Sequence, residues 1–269
     1  MTQPTHNRLY HDLAFLWPIL SPPDHYIAEA SIIQSIIEDK LADLLADAEV
    51  EGTQLNLTEL GAGGGHTLYH LQDYFNCTAV DLAPDMLENC KHLNPNVKTI
   101  CDDMRNFTLD EKQHIILIHD AIDYLLTEND IAHTLAAAYQ NLTSGGVLLL
   151  APTYTSETFD TADAATDRQS SERYDLTYTT TLIDPDPTDH QFEMHLEYHI
   201  TDLKNAESNI EHDIHACGLF SNQTWMQQLK NAGFSAEIGR FTSLDEDYPI
   251  VNDNHDEDAP WSLFIGMKH

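Results

Sequence analysis

The sequence is short of positive charge. Its 269 residues include 12 lysines and arginines but 45 aspartates and glutamates, so the formal net charge at pH 7 is −33. Such a surface repels phosphate backbones and anionic lipid headgroups. We therefore predict neither a nucleic-acid partner nor a membrane partner. The charge agrees with a solvated, salt-adapted surface and also with a field that attracts cationic substrates such as amines, and the composition leaves both interpretations open.

Long apolar runs and paired cysteines are also missing. The longest apolar stretches, such as 147–151, have the length of buried strands and not of membrane helices. The first residues lack the pattern of a secretory signal, which predicts a cytoplasmic protein. None of the cysteines Cys77, Cys90, Cys101 and Cys217 has a partner at C-x-x-C spacing. Neither zinc ligands nor a redox dithiol is therefore indicated.

Residues 1–50 are predicted to form a helical N-terminal cap. The segment begins with scattered aromatic residues, among them Tyr10 and Trp17. Ser21, followed by two prolines and an aspartate, has the pattern of a helix start. Apolar residues then recur at helical spacing. We predict one helix that begins after Ser21 and ends near Gly52.

Residues 51–152 alternate between short apolar strands and helical segments. The predicted strands are 55–60, 77–80, 97–101, 114–119 and 147–151, and the predicted helices are 66–74, 84–93 and 128–142. This alternation predicts a parallel sheet covered by helices on both faces. Right-handed crossovers bring the carboxyl ends of the strands to one edge of the sheet, where ligands bind.

Residues 153–220 have a different pattern. Residues 153–172 show no periodicity and are predicted to be a mobile loop. Segments 174–183 and 192–201 alternate apolar and polar residues, and 209–217 adds a third candidate strand, so an antiparallel insertion is expected.

Residues 221–269 are predicted to contain a C-terminal helix and strands that complete the sheet. The helix is 222–232, and the strands are 236–241 and 261–267. We therefore predict a single α/β domain, as a monomer or homodimer. Its Rossmann-like, seven-stranded, mostly parallel sheet ends in a C-terminal antiparallel hairpin, with the helical cap and the antiparallel β insertion added to it.

A glycine-rich turn between the first predicted strand and helix is the most informative motif. Glycine allows the backbone to approach a ligand, and free N–H groups at a helix start favour a carboxylate. A dinucleotide fingerprint, G-x-G-x-x-G, would need a third glycine where His66 stands, which disfavours a nicotinamide-dependent oxidoreductase. The observed spacing is acidic-x-G-x-G-x-G, carried by Glu59, Gly61, Gly63 and Gly65.

Acidic residues also follow the next two predicted strands. Asp81 ends the second strand, where a carboxylate can accept hydrogen bonds from ribose hydroxyls. Asp103 and Met104 follow the third strand, in a position to meet an adenine edge. Three acids at successive strand ends favour a nucleoside site over unrelated loop caps.

These motifs resemble those of class I S-adenosylmethionine-dependent methyltransferases. The resemblance implies S-adenosylmethionine as cofactor and S-adenosylhomocysteine as product. It also implies that the glycine turn holds the methionine part, that Asp81 holds the ribose, and that Leu82 lies beside the adenine. The whole implied cofactor site is Tyr10, Glu59, Gly61, Gly63, Gly65, Asp81, Leu82, Asp103, Met104 and His119.

Several shorter segments indicate which groups of these methyltransferases the chain resembles. Segments 103–107, 194–197 and 215–220 look like the amino-sugar N,N-dimethyltransferases. A largely uncharacterised bacterial group of small-molecule methyltransferases is more similar still, on segments 16–23, 119–124 and 184–187.

Three residues after the fourth predicted strand are the candidate catalytic residues. Methyl transfer is an in-line displacement, and an amine nucleophile must be neutral, so a base assists it. His119 titrates near neutral pH and is the first candidate base, although it would serve equally as a wall of the cofactor site. Asp120 would bind a cationic amine, and the Tyr124 hydroxyl would orient a substrate.

The insertion is rich in histidine. His195, Glu197 and His199 share one face of a strand, where they would bind zinc or simply form its polar face. We favour the polar face and predict no metal. His215, farther along the chain, is expected to reach the substrate pocket.

The predicted function is methyl transfer to a small-molecule acceptor, with an amine nitrogen preferred because of Asp120 and the acidic surface. One alternative is O-methylation of a small carboxylic acid or hydroxyl, for which Arg105, Arg173 and Arg240 are the candidate anchors. The other is a non-catalytic S-adenosylmethionine-binding protein.

Overall fold

A computed structural model describes residues 7–162, 165–239 and 262–269 of the chain. The helices are α1 (Trp17–Leu20), α2 (Ile27–Lys40), α3 (Ala42–Glu51), α4 (His66–Leu71), α5 (Pro84–Leu93), α6 (Glu128–Asn141) and α7 (Asn222–Asn231). The strands are β1 (Asn56–Leu60), β2 (Asn76–Asp81), β3 (Lys98–Cys101), β4 (Gln113–His119), β5 (Leu142–Ala151), β6 (Ala165–Ser170), β7 (Tyr174–Ile183), β8 (Gln191–Asp202), β9 (Glu207–Gly218), β10 (Ser235–Ile238) and β11 (Phe264–Met267). Short 3-10 turns at Arg8–Tyr10, Ala14–Leu16, Pro23–Tyr26 and Ala121–Tyr124 connect these elements.

The main sheet has seven strands in the order β10-β11-β5-β4-β1-β2-β3. Strands β1 to β5 pair in parallel, and β11 runs antiparallel to both of its neighbours. Helices α2 to α5 pack against one face of the sheet, and α6 and α7 pack against the other. Strands buried on both faces read as continuous apolar runs, which is why β4 and β5 could be recognised in the sequence. The predicted Rossmann-like fold is confirmed.

The N-terminal cap departs from the prediction of one long helix. Leu41 separates α2 from α3 with backbone angles φ −117° and ψ 24°, and its side chain is buried. Ser21 does not cap the start of a helix; its hydroxyl forms a hydrogen bond of 2.8 Å with Tyr26. The predicted end is correct, because Gly52 closes α3 in the left-handed conformation.

The insertion is a four-stranded antiparallel sheet in the order β6-β7-β8-β9. The prediction of a loop over 153–172 is wrong at residues 165–170, which form β6. This strand lies at the edge of its sheet and is polar and exposed on both faces, so it lacks the alternation that reveals a strand. Of the C-terminal predictions, 240–241, Trp261 and Arg240 lie outside the described residues.

The N-terminal segment packs on the insertion sheet. Leu9, Leu13, Leu16 and Leu20 form one apolar cluster with residues of β7 and β8. The Arg8 guanidinium contacts the Glu211 carboxylate of β9 at 2.8 Å. The cap and the insertion are thereby joined to each other. Within the described ranges, no helix is long and apolar enough to cross a membrane.

Candidate active site

A cavity of about 610 Å³ opens where the strands β1 to β4 end. Residues of the N-terminal cap and of β7, β8 and β9 line its other side. Its volume is in the usual range for small-molecule sites. The predicted site residues that line it are Tyr10, Glu59, Gly61, Gly63, Asp81, Leu82, Asp103, Met104, His119, Asp120 and Tyr124. Their individual roles remain predictions.

The glycine turn after β1 requires glycine at its first positions. Gly61 and Gly63 have φ angles of +69° and +51°, which disfavour other residues. A Cβ on Gly61 would lie 2.1 Å from the Cβ of Ala121. The backbone N–H of Gly61 donates to Val80 O at 2.7 Å, which joins the turn to β2. The turn therefore exposes its backbone to the cavity at Gly61 and Gly63.

Gly65 does not line the cavity, contrary to the prediction. Its φ is +72°, and a Cβ there would lie 2.5 Å from Cys90 Sγ and 2.6 Å from Asn94 Nδ2. The Asn94 amide donates to Gly65 O at 2.8 Å. Gly65 thus serves the close approach of α4 and α5, because its missing side chain leaves room for Cys90 and Asn94.

Glu59 presents an unsatisfied carboxylate oxygen. The residue is 4% exposed and lines the cavity. Thr67 forms a hydrogen bond with its carboxylate, while Oε2 has no partner among the described residues. Burial raises its pKa to about 8. An orphaned, buried carboxylate oxygen at the glycine turn fits the amino group of S-adenosylmethionine.

Asp81 points at the glycine turn. Its Oδ2 accepts the Gly63 N–H at 2.7 Å, and its Oδ1 accepts the Ala83 N–H at 2.8 Å. Burial raises its pKa, and these two hydrogen bonds oppose the shift. Each oxygen keeps a further lone pair, so the carboxylate can still accept ribose hydroxyls.

Asp103 is engaged by a neighbouring cation. Its carboxylate accepts from Arg105 Nη2 at 2.6 Å, and hydrogen bonding to Arg105 lowers its pKa. The same guanidinium contacts Asp130 at 3.2 Å. Arg105 is the only lysine or arginine that lines the cavity within the described ranges. It is already committed to two carboxylates and is poorly placed to hold an anionic acceptor.

His119 ends β4 among carboxylates. Its Nε2 lies 3.5 Å from Glu29 Oε2, and its Nδ1 lies 3.5 Å from Asp120 Oδ2. Burial lowers the pKa of His119, but Asp120, Glu29, Glu59 and Asp123 raise it by more, so the net shift is upward. The ring is thus a stronger proton acceptor than an isolated imidazole.

Asp120, directly after His119, has a strained backbone. Its φ is +46°, an unfavourable value for this residue type and a common feature of functional sites.

Asp123, in the turn that follows, holds a second carboxylate oxygen without a partner among the described residues. Asp123 accepts the Thr153 N–H at 3.1 Å through Oδ2, while Oδ1 is buried without a partner among the described residues. Burial raises the pKa of Asp123 well above its usual range. The sequence analysis gave Asp123 no role, because a single acid after a strand has no distinguishing pattern.

Trp17 lies over the glycine turn. Its ring is nearly parallel to that of His66, with the ring centroids 5.9 Å apart. A Cβ on Gly64 would lie 2.6 Å from the Trp17 ring. Trp17 therefore covers the methionine end of the predicted cofactor site and not the acceptor end.

A hydrogen-bonded chain enters the cavity from the insertion. Tyr10 and Tyr124 hydroxyls lie 2.6 Å apart, and Tyr124 lies 2.7 Å from His215 Nδ1. His215 Nε2 lies 2.8 Å from the Asp213 carboxylate. His215 is fully buried and does not line the cavity, so the prediction that it reaches the pocket is wrong; it contacts the lining residue Tyr124 instead, and Asp213 was not predicted. An acid two residues before a histidine on one strand was the available signal, since both side chains share a face.

The histidine row of the insertion pairs with glutamates. His195 contacts Glu193 at 2.7 Å, and His199 contacts Glu197 at 2.6 Å. No group of three or more histidine, cysteine, aspartate or glutamate side chains in the described part of the chain is arranged to hold a metal ion.

About a third of the chain, which includes the glycine turn, matches a family model. Residues 58–146 match the family model described as a methyltransferase domain. The match includes the glycine turn and the ends of β1 to β4, the segments to which the sequence motifs assign the cofactor.

A curated relative extends the resemblance. The chain is 30% identical over 136 residues to the dTDP-3-amino-3,4,6-trideoxy-alpha-D-glucopyranose N,N-dimethyltransferase of Streptomyces venezuelae. The match covers 50% of this chain and 53% of that enzyme. The chain therefore matches about half the length of this curated relative.

Solved structures show the same fold over nearly the whole chain. The crystal structure of Streptomyces venezuelae DesVI has a TM-score of 0.75 and 19% identity, covering 99% of this chain and 100% of that one. A sugar N-methyltransferase from a Streptoalloteichus species has a TM-score of 0.76 and 18% identity, covering 100% and 96%. The resemblance to S-adenosylmethionine-dependent methyltransferases and, more distantly, to the amino-sugar branch is confirmed.

Proposed function

We propose that this chain transfers the methyl group of S-adenosylmethionine to an amine nitrogen of a small molecule, with amino sugars as the first acceptor class to test. The observation that carries the proposal is the acidic lining of the cavity: burial raises the pKa of Glu59 and Asp123, and an ammonium ligand favours their ionised forms. Carboxylates of Glu59, Asp81, Asp120 and Asp123 line the cavity, two of them with orphaned oxygens. Arg105 is the only lysine or arginine in the described lining and is paired twice. Cationic ligands suit such a cavity.

Four elements would hold S-adenosylmethionine. The orphaned oxygen of Glu59 would accept from its amino group, and the glycine turn would lie against its methionine part. Asp81 would accept the ribose hydroxyls, and Leu82 with Met104 would enclose the adenine. The bound cofactor supplies an electrophilic methyl group on its sulfonium.

The chain's own residues would then prepare the nucleophile. Asp120 and Asp123 attract an ammonium group to the end of β4, next to His119. The imidazole of His119 takes one proton from that ammonium and leaves a neutral amine with a free lone pair. As the amine nitrogen bonds to the methyl carbon, the carbon–sulfur bond breaks and its electron pair stays on sulfur. The described cavity walls align the two reactants and limit water.

The alternatives find less support in the contacts. An acceptor carboxylate would need a free cation, but Arg105 is committed and Arg173 pairs with Asp202 at 3.0 Å. Arg240 lies outside the described residues. A non-catalytic protein would need room only for the cofactor, whereas this cavity also extends to Tyr178, Phe192 and Met194 of the insertion.

The direct test is a screen for S-adenosylhomocysteine formation. Purified protein is incubated with S-adenosylmethionine and matched sets of small amines, alcohols and carboxylic acids, including nucleotide-linked amino sugars and their hydroxyl counterparts. We expect turnover with amines and little with the matched alcohols or acids. Turnover confined to alcohols or acids would contradict the proposal, and so would tight cofactor binding with no turnover on any set.

His119 is tested separately. His119→Gln should lower kcat on the best amine by about 10²-fold or more, the usual contribution of a general base. The Kd for S-adenosylhomocysteine should change little. Equal losses in kcat and in cofactor affinity would assign His119 to the cofactor wall.

A further inference from the structure

The hydrogen-bonded chain from Asp213 to Tyr10 connects the interior of the insertion sheet to the cavity. Asp213 and His215 are 2% and 0% exposed, whereas Tyr10 and Tyr124 line the cavity. The three links of the chain are 2.8, 2.7 and 2.6 Å long. Proton removal by His119 uses none of these four residues, so their arrangement needs its own explanation.

The chain has a fixed direction because it starts at a group that only accepts. Burial alone would raise the pKa of Asp213, but hydrogen bonds from His215 and from the Leu9 N–H hold it below its usual value. The carboxylate is therefore ionised. With a proton on Nε2 only, His215 donates to Asp213 and leaves Nδ1 as an acceptor.

With Nδ1 of His215 as an acceptor, the hydrogen bonds of Tyr124 and Tyr10 can run in one direction only. Burial raises the pKa of both phenols, so Tyr10 and Tyr124 keep their protons. Tyr124 donates to Nδ1 of His215, and its oxygen accepts the hydroxyl proton of Tyr10. The Tyr10 hydroxyl has then spent its only proton, and only lone pairs remain for a ligand in the cavity.

We propose that Asp213, His215 and Tyr124 order the hydroxyl proton of Tyr10, so that the Tyr10 oxygen faces the cavity as an acceptor for an N–H of the methyl acceptor. The inference rests on the function proposed for this cavity. A neutral primary or secondary amine has an N–H to donate. A carboxylate or an alkoxide has none. Tyr10 thus favours a nitrogen acceptor and orients the lone pair of that nitrogen towards the methyl group. Asp213 and His215 are positioning residues.

The N-terminal segment is held by the same carboxylate. Asp213 Oδ2 accepts both the His215 Nε2–H and the Leu9 N–H, the latter at 2.9 Å. The Tyr10 ring packs edge-on against Tyr124, with centroids 5.6 Å apart. The position and the proton of Tyr10 are therefore set together. This assignment gives Tyr10 to the acceptor and not to the cofactor site in which the resemblance placed it.

The direction of the chain is measured without any methyl acceptor. Long-range nitrogen–proton NMR spectra of protein labelled with ¹⁵N-histidine, saturated with S-adenosylhomocysteine, report the tautomer of each ring. We expect the signal that disappears in His215→Gln to be a neutral ring protonated on Nε2. Tyr124→Phe should shift its Nδ1 resonance, because that atom loses its donor. An imidazolium, or a ring protonated on Nδ1, would overturn the proposal.

The role of the ordered oxygen is measured on the amine that the screen identifies. Tyr10→Phe and Tyr124→Phe should lower kcat/KM for the amine by about 10-fold, the value of one hydrogen bond at a largely buried site. The Kd for S-adenosylhomocysteine should stay within about 2-fold. Any residual turnover of the matched hydroxyl compound should fall less than turnover of the amine.

Tyr198→Phe is the matched control. Tyr198 is buried in the same insertion sheet, and its hydroxyl has no partner among the described residues. This variant should match the wild type in kcat/KM and in the His215 spectrum. Equal losses in Tyr10→Phe and Tyr198→Phe, or equal losses for amine and hydroxyl compounds, would overturn the proposal. If no amine is methylated, the proposed function fails, while the NMR result still decides the direction of the chain.

Discussion

The two sides of the cavity treat polar groups in opposite ways. The sheet wall, defined as Glu59, Asp81, His119, Asp120 and Asp123, crowds carboxylates together and leaves two oxygens without partners among the described residues. In the insertion wall, defined as Tyr10, Tyr124, Asp213 and His215, every side chain has a hydrogen-bond partner. Unsatisfied buried groups are costly and indicate where a ligand completes the structure. Completed chains are suited to fixing protons and orientation.

The contrast follows from where the residues come from. The sheet wall collects acids from the ends of adjacent parallel strands, so their repulsion is built into the topology. The insertion wall joins residues from the N-terminal segment, from the 3-10 turn after β4, and from β9. These residues meet through hydrogen bonds and ring contacts. Variants in each wall therefore distinguish a wall that a cationic ligand completes from a wall whose hydrogen bonds are complete without a ligand.

The largest expected effect on stability comes from displacing the 3-10 turn that carries one residue of each wall. A Cβ on Gly61 would strike Ala121, the first residue of the 3-10 turn that carries Asp123 and Tyr124. Gly61→Ala should therefore cost about 3 kcal/mol or more of unfolding free energy, measured by denaturant titration. Gly52→Ala is the control, because Gly52 has a similar φ of +68° but open space around it. It should cost only about 1 kcal/mol. Equal costs would show that backbone strain, and not contact with Ala121, fixes the turn.

Glu59→Gln should separate binding from stability. The variant loses the negative charge that we assign to the cofactor's amino group, so the Kd for S-adenosylhomocysteine should rise about 100-fold by calorimetry. It also removes a buried carboxylate whose pKa is raised to about 8. At pH 8 the free energy of unfolding of the variant should exceed that of the wild type by about 1–3 kcal/mol. The exposed Glu88→Gln serves as the control and should change neither quantity. A variant that loses stability as well as affinity would contradict the account of Glu59.

Asp81→Asn should have a smaller effect on the same ligand. An amide oxygen can accept from Gly63 or from Ala83, but its nitrogen then faces the other N–H. The Kd for S-adenosylhomocysteine should rise about 10-fold, and the Kd for methionine alone should not follow it. Equal weakening of both ligands would mean that Asp81 shapes the turn and does not contact the ribose.

The smallest effect is proton release on cofactor binding. Because burial raises the pKa of Glu59 to about 8, its carboxyl is mostly protonated in the free protein at pH 7. An ammonium ligand favours the ionised form, so binding should release up to one proton. Calorimetry at pH 7 in buffers of different ionisation enthalpy measures that number. No buffer dependence would contradict the pKa assigned to Glu59.

The same raised pKa sets the pH dependence of stability. The folded state holds the Glu59 proton more tightly than the unfolded chain, so this group's contribution to stability falls as pH rises from its unfolded value towards 8. The melting temperature of Glu59→Gln should therefore fall less than that of the wild type over this range.

The sequence indicated most residues of both walls, but it indicated the proximity of those in the sheet wall only. Glu59, Asp81 and His119 each follow an apolar strand, and parallel strands bring their carboxyl ends together by topology alone. Tyr10 and Tyr124 are 114 residues apart, and Tyr124 and His215 are 91 apart. No local pattern records such contacts. The orphaned state of Asp123 is likewise a property of the packed structure.

The errors in the fold have local physical reasons. Leu41 belongs to the apolar period of a helix, yet the chain bends there and buries it. β6 has no buried face, so periodicity could not reveal it. Gly65 fits the glycine motif by spacing, but its missing side chain makes room for Cys90 and Asn94 and not for a ligand.

Calorimetric titration of the folded protein with S-adenosylhomocysteine tests the central claim most directly. The account predicts saturable binding to one site per chain that weakens strongly in Glu59→Gln and less in Asp81→Asn. An absence of binding heat at several temperatures, on protein with an intact cooperative unfolding transition, would contradict it.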